Sequence, residues 1–480
     1  MSDVTISKTI SRRKFLSAAG IALGGVALAA CAAPPSAPAA PAGQPAAQSG
    51  GNTPAAPSAA TAAPTEQPAA AGAIDVRAHM VKKQDVSDWI DMGLKADIDG
   101  FKQKNPNINL KLETIPGWTA EYIPKILSFA AAGTLGDLVW YPPRHRSHIA
   151  WGTNYNIVQD LMPLANTANY DLKSNFFAGA NAANSSGGKQ YWMSYISEPI
   201  VPVIAYNKTK LEKIGVPLPT DDWTFQDLVE WAKKGTKDGT FGYYRADRGG
   251  SFAGGPYLRQ WGVEPTDADG KKATFDKNKD AFVSALQFDY DLINTSKVSP
   301  SPAAGAINAP ELFGGQKVLA VDIWPFRIQI YPATFKDFQI DFVLTPVVNK
   351  GDKRRTMLNE HVFGITTASK NTDAAFKALT WFCGKEMNVQ ALVQGQKGPI
   401  ARADVWNDDR IYAQQPTYKK LRPLMENIEA DFLVANFRGE EFDNAYQAVL
   451  DAMELGKVKS ADAADQIQKA CQAVLDKEPA

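Results

Sequence analysis

Cysteine and histidine are scarce in this chain, at three and four residues out of 480. So small a supply excludes a dense disulfide framework and leaves no Cys/His cluster of metal-ligand spacing. His145 and His148 do share an H-x-x-H spacing, but neither a cysteine nor an acidic pair stands beside them, so no metal site is expected. An excess of charge of one sign is lacking too, with 51 basic against 51 acidic side chains. No basic stripe appears, which excludes a nucleic-acid partner. Neither a G-x-S-x-G elbow nor an H-E-x-x-H pair is present, so no catalytic residue and no cofactor is expected. Long hydrophobic runs are missing as well: the weakly apolar, Gly-rich segment ending at Ala30 is too short for a spanning helix, which needs roughly 20 apolar residues.

What the first 72 residues do contain reads as an address and a tether. Ser11-Arg12-Arg13-Lys14-Phe15-Leu16 is a twin-arginine pattern, and Leu28-Ala29-Ala30-Cys31 reads as a lipobox. Residues 1–30 are then a signal peptide, cleaved so that Cys31 carries lipid. An ordinary secretory signal with an accidental cysteine is the alternative. Residues 31–72 are nearly all Ala, Pro, Gly, Ser, Gln and Thr, with Glu66 the only charge. Such a composition cannot bury enough apolar surface to offset ordering, so a disordered tether is expected. The protein is accordingly placed outside the cytoplasm, moored by lipid to the outer face of the cytoplasmic membrane, in a periplasm or at a cell surface.

The remaining stretch, roughly 400 residues, is more than one core usually organises, so two lobes are expected. Strand and helix patterns alternate. Asp75–His79, Ile108–Leu112 and Leu138–Tyr141 read as strands, with helices from about Val86 and around Ile123–Ala132 between them. That order predicts an α/β fold in which ligands sit at the carboxyl ends of the strands. The loop after Trp140, with Tyr141, Arg144 and His145, is therefore a candidate site; Tyr244 and Asp247, in a polar loop further on, become candidates only through the family resemblance described below. Trp118 and Tyr195 add aromatic surface. Cys383 and Cys471 lie in apolar helical patterns and are expected to be buried free thiols.

The stretch Gly188–Trp223 organises the rest. It carries GK-x-Y, an apolar run interrupted by Pro199 and Pro202, Tyr206-Asn207-Lys208, a Gly215-Val216-Pro217 stop, and Trp223-Thr224-Phe225 opening a helix. Prolines inside an apolar run mark a strand leaving one sheet for another. In this order of motifs the chain resembles the extracellular solute-binding proteins of ABC importers, family 1, the maltose-binding-protein-like branch. The resemblance implies a two-lobed binding-protein fold of type II, each lobe a mixed or parallel sheet flanked by helices, joined by three hinge crossings. Lobe 1 would be 73–198 plus 347–400, and lobe 2 would be 199–346 plus 401–480. Gln396–Ile400 resembles the third crossing.

Residue by residue, the resemblance also implies an acidic ligand contact near Glu198 and a sugar-stacking tryptophan at Trp324, after a "helix, G-x-K-V-A-M, strand" element matched by Leu312–Ala320. Arg327 would reach the same cleft. Where relatives carry an acid in the first strand-end loop, this chain has Arg144. The implied function is capture of a carbohydrate by a monomer and its delivery to an ABC permease and its ATPase. Two other readings stay open. The clamp could hold a phosphate ester, polyamine or peptide, an anion being suited by Arg144, Arg248 and Arg327. Alternatively the chain could be an exported carbohydrate-active enzyme, which would need paired carboxylates in the cleft.

Overall fold

Two prolines mark where the chain changes sheets. In the computed structural model, which describes residues 72–82, 98–116, 119–141, 145–200, 203–246, 254–301, 309–394 and 400–479, one strand ends at Ile200 and the next, in a different sheet, begins at Val203. Pro199 lies at the end of the first of these strands, opposite Leu358, and Pro202 lies outside the described residues. The contacts divide the chain at Gly72, and everything described below belongs to the unit Ala73–Ala480. The signal segment, Cys31, the tether, the first part of the helix expected from Val86, Trp118, Arg144, Asp247, Arg248 and Gln396–Pro399 lie outside the described residues, while 98–104 are helical as expected, with Phe101 buried.

The first sheet is built from β1 (Ile74–Lys82), β2 (Ile108–Pro116), β3 (Leu138–Tyr141), β4 (Met193–Ile200), β8 (Met357–Ile365) and β9 (Glu429–Ala430). β1 pairs in parallel with β2 and β3, while β8 runs antiparallel to β3 and β4 and parallel to β9. Alternation holds in the first half of β1, and from Ala78 to Val81 every residue is buried, His79 included. All nine residues of β8 are buried, as a central strand demands. Helices α1 (Thr119–Ala132) and α2 (Ser147–Asn154) flank β3 in sequence.

The second sheet has three antiparallel strands with β5 (Val203–Asn207) between β6 (Ala320–Ile323) and β7 (Ile340–Leu344). Both of its faces are covered. Ile204, Tyr206, Ala320 and Val343 join one core cluster, and Val203, Ala205, Val321, Ile323 and Phe342 join another. Helices α3 (Lys208–Ile214) and α4 (Phe225–Gly235) follow β5, and their ends explain the motif residues. Asn207 Oδ1 accepts from Lys210 N at 2.8 Å as an N-cap, and Gly215 closes α3 at φ +72°. Thr224 and Asp227 form a reciprocal capping box that starts α4.

Further on, α5 (Lys279–Tyr290), α6 (Arg327–Thr334), α7 (Thr372–Phe382), α8 (Lys385–Val393), α9 (Tyr418–Met425), α10 (Gly439–Glu454) and α11 (Ser460–Leu475) complete the layers. α7 lies over β1 and β8. α5, α10 and α11 pack together around Phe275, Phe282, Phe442, Tyr446 and Cys471. Cys383 and Cys471 are both buried free thiols. Among the described residues no helix is long and apolar enough to cross a membrane.

Residues 401–430 touch elements of both sheets. Ala403 N bonds Asn175 O at 2.9 Å and β9 adds to β8, while Lys420 Nζ donates to Phe342 O of β7 at 2.9 Å and Gln329 Nε2 of α6 donates to Tyr418 Oη at 2.8 Å. Trp406, Tyr418, Leu421 and Met425 are buried in a core cluster that both sheets share.

Candidate functional site

Two parallel segments end side by side in the second lobe. Phe241 and Tyr244 bridge Val318 and Val321 in parallel, so the chain runs out at one edge into Arg245 and Trp324. Both ends are fixed from below. The Tyr243 hydroxyl donates to Asp322, two residues before Trp324. Arg245 Nη2 donates to Asp289 Oδ2 at 2.6 Å, and its guanidinium lies 4.0 Å from the centre of the Tyr257 ring. Burial works against this guanidinium, and the adjoining Asp289 carboxylate more than compensates, so its pKa is raised. Neither Asp289 nor Asp322 stood out in the sequence, since each is a lone acid inside an apolar pattern.

On that base Trp324 is half-buried, with its ring against the aromatic cluster of α5 and α10. Arg327, also half-buried, opens α6: its backbone N–H closes a turn on Trp324 O at 2.9 Å. Its guanidinium donates to Tyr331 Oη at 3.1 Å and lies 5.5 Å from the Phe326 ring. Tyr244 belongs to the buried core at the same edge.

The first lobe treats its strand end differently. Tyr141 is buried, its ring packed on His148, Trp151 and Trp192 at 5.9, 5.1 and 5.9 Å, so it serves the core. His145, read from the sequence as a ligand contact, is 0% exposed. Its Nε2 lies 2.9 Å from Asp443 Oδ1 and its Nδ1 3.4 Å from Asp431 Oδ2, with the ring stacked on Phe432 at 4.1 Å. A ring enclosed in this way cannot touch a solute, and the expectation of direct contact is corrected. Burial pulls the His145 pKa down, but the charges and hydrogen bonds of Asp443 and Asp431 together raise it to about 9. His148 goes the other way. Burial, then Arg146, pushes it to about 3, and Nε2 meets the Ala183 carbonyl at 3.0 Å. The H-x-x-H pair thus faces two different environments.

Tyr195 is also corrected. The β4–β8 register shifts opposite His361/Val362, and Tyr195 is wholly buried with edge contacts to Phe363 at 5.2 Å and Phe382 at 6.0 Å. Glu198 stands in β4, in register with Asn359, at the passage between sheets. What sequence reasoning missed is the buried carboxylate pair Asp431 and Asp443. A signal existed: Asp443 lies on the buried side of α10, directly after Phe442 and three residues before Tyr446.

Two sheets joined by three passages, with strand-end aromatic and charged groups on one edge, define a two-lobed solute-binding receptor. Comparison agrees: residues 87–389 match the bacterial extracellular solute-binding proteins, and the chain belongs to that family, the solute receptors of ABC importers. Three solved structures share its fold. An ABC substrate-binding protein from Listeria monocytogenes in complex with cycloalternan is 18% identical, with TM-score 0.68, covering 84% of this chain and 98% of that one. The cyclic α-maltosyl-1,6-maltose binding protein from Arthrobacter globiformis is 18% identical at TM-score 0.68, with 84% and 99% covered. A maltose-bound T. maritima protein is 21% identical at TM-score 0.66, with 84% and 100% covered.

Proposed function

We propose that this chain is an exported lipoprotein, moored through Cys31, that closes its two lobes on a carbohydrate and hands it to an ABC permease. The observation carrying the reading is Trp324, a half-buried indole at the carboxyl end of β6 with Arg327 beside it. One face of a pyranose is C–H surface that suits an aromatic ring, while its hydroxyls need polar partners. In this reading Arg327, Glu198, Asp247 and Arg144 supply those partners, Trp118 adds aromatic surface, and the buried Tyr244 backs the edge from beneath. The three relatives described above, with names that refer to cycloalternan, cyclic maltosyl-maltose and maltose, support the same class of solute.

Closure follows from differential contact: a solute touching both lobes only when they are shut shifts the population toward the shut form. Calorimetric titration with maltose, maltotriose and cyclic glucosides tests this. Binding of at least one is expected, and failure of all removes the carbohydrate reading. Chromogenic glycosides are expected to be left intact, since a receptor has no use for turnover.

A further inference from the structure

His145 ties parts of the chain that are 298 residues apart. It follows β3 of the first lobe, yet its ring is enclosed by Phe432, Phe442, Asp431 and Asp443, and Asp443 belongs to α10 of the second. The loop backbone is tied at the same place, for Val434 N donates to His145 O at 3.2 Å and Ser147 Oγ to Val434 O at 3.3 Å. Both His145 and Arg146 adopt left-handed φ, +46° and +48°. Two such non-glycine residues in a row are strained and persist only where surrounding contacts over-determine them. Asp431 lies just after β9 of the first sheet, whereas Asp443 sits on α10, which packs with α5 and α11. The joint therefore ties the first sheet's strand end to that helical layer.

We propose that His145, as an imidazolium held between Asp431 and Asp443, is a positioning residue for solute binding: it fixes the first lobe's strand-end loop to α10 and so sets the pose in which the lobes close. The inference rests on the clamp reading above. Around the joint, Cys471 on α11 is a thiol kept neutral by burial beside Asp443, and Arg146 on the same loop faces Asp431 and Glu360, with Arg259 beyond. Because the folded His145 pKa is raised above its ordinary value, to about 9, its contribution is complete below about pH 6.5 and is lost as pH rises through about 9.

The test is titration of the full chain with maltotriose and cyclic glucosides from pH 7 to pH 10, beside thermal unfolding and the distance between a fluorophore pair with one label on each lobe. Wild-type affinity is expected to fall about fivefold or more across that window, with a change in inter-lobe distance. H145Q is expected to bind about fivefold more weakly at pH 7 with a flat pH profile. D443N is expected to move the alkaline loss to lower pH. A purely structural role would lower the melting temperature of H145Q and leave affinity, its pH profile and the inter-lobe distance unchanged, which overturns the proposal. If no sugar binds the wild type, the carbohydrate reading falls separately. The fluorophore distance then still decides this one, and a distance indifferent to both pH and H145Q overturns it.

Discussion

The strand ends of the two lobes are built from similar residues and put to opposite use. After β3, the aromatic and charged side chains Tyr141, His145 and His148 are consumed by packing and by a buried ion cluster. After β6, the charges that fix the edge are Asp322 and Arg245 below it, which leaves Trp324 and Arg327 half-exposed. The same chemical inventory therefore supplies rigidity in one lobe and, in the function proposed above, a contact surface in the other. The difference lies in how far the fold encloses the side chain: His145 is wholly buried, whereas Trp324 and Arg327 keep part of their surface open.

If that contrast is right, damage to the first lobe's end should cost stability and reach affinity only through the pose of the lobes, whereas damage to the second should remove a direct contact. The largest effect is expected for Asp443→Ala, which leaves an imidazolium buried with one carboxylate fewer. Removing one partner of a buried pair costs about 3 kcal/mol or more, to be read by denaturant unfolding at pH 7. A loss below about 0.5 kcal/mol would erase the contrast. Trp324→Ala should leave the melting temperature within a few degrees while weakening sugar binding by a factor on the order of 30, the loss of a central aromatic anchor. A variant that binds normally would move the contact surface elsewhere. Smallest of all, Thr224→Ala removes the α4 capping box and should cost about 1 kcal/mol without touching affinity. A change in affinity there would mean that the second lobe's helices and its strand ends do not act separately.

Some of this was legible in local pattern. Pro199 and Pro202 announced the passage between sheets because proline cannot donate to a ladder. The strands at Leu138–Tyr141 and Ile108–Leu112 followed from apolar runs and alternation, and Asn207, Gly215 and Thr224 wrote their helix caps into the motif. Site residues were less legible. A tyrosine at a strand end reads the same whether its ring faces a cleft or three other aromatic rings, as Tyr141 does. A histidine in a polar loop gives no sign of a partner 298 residues away.

The linear chain alone thus determined the class of fold, the order of its first strands and the first place where it changes sheets, since these depend on backbone chemistry and short-range periodicity. The tertiary structure alone decided which aromatic rings are core and which are partly open, and that His145 is enclosed between Asp431 and Asp443. Those outcomes depend on desolvation and on charges brought together from distant positions, and no local pattern encodes either.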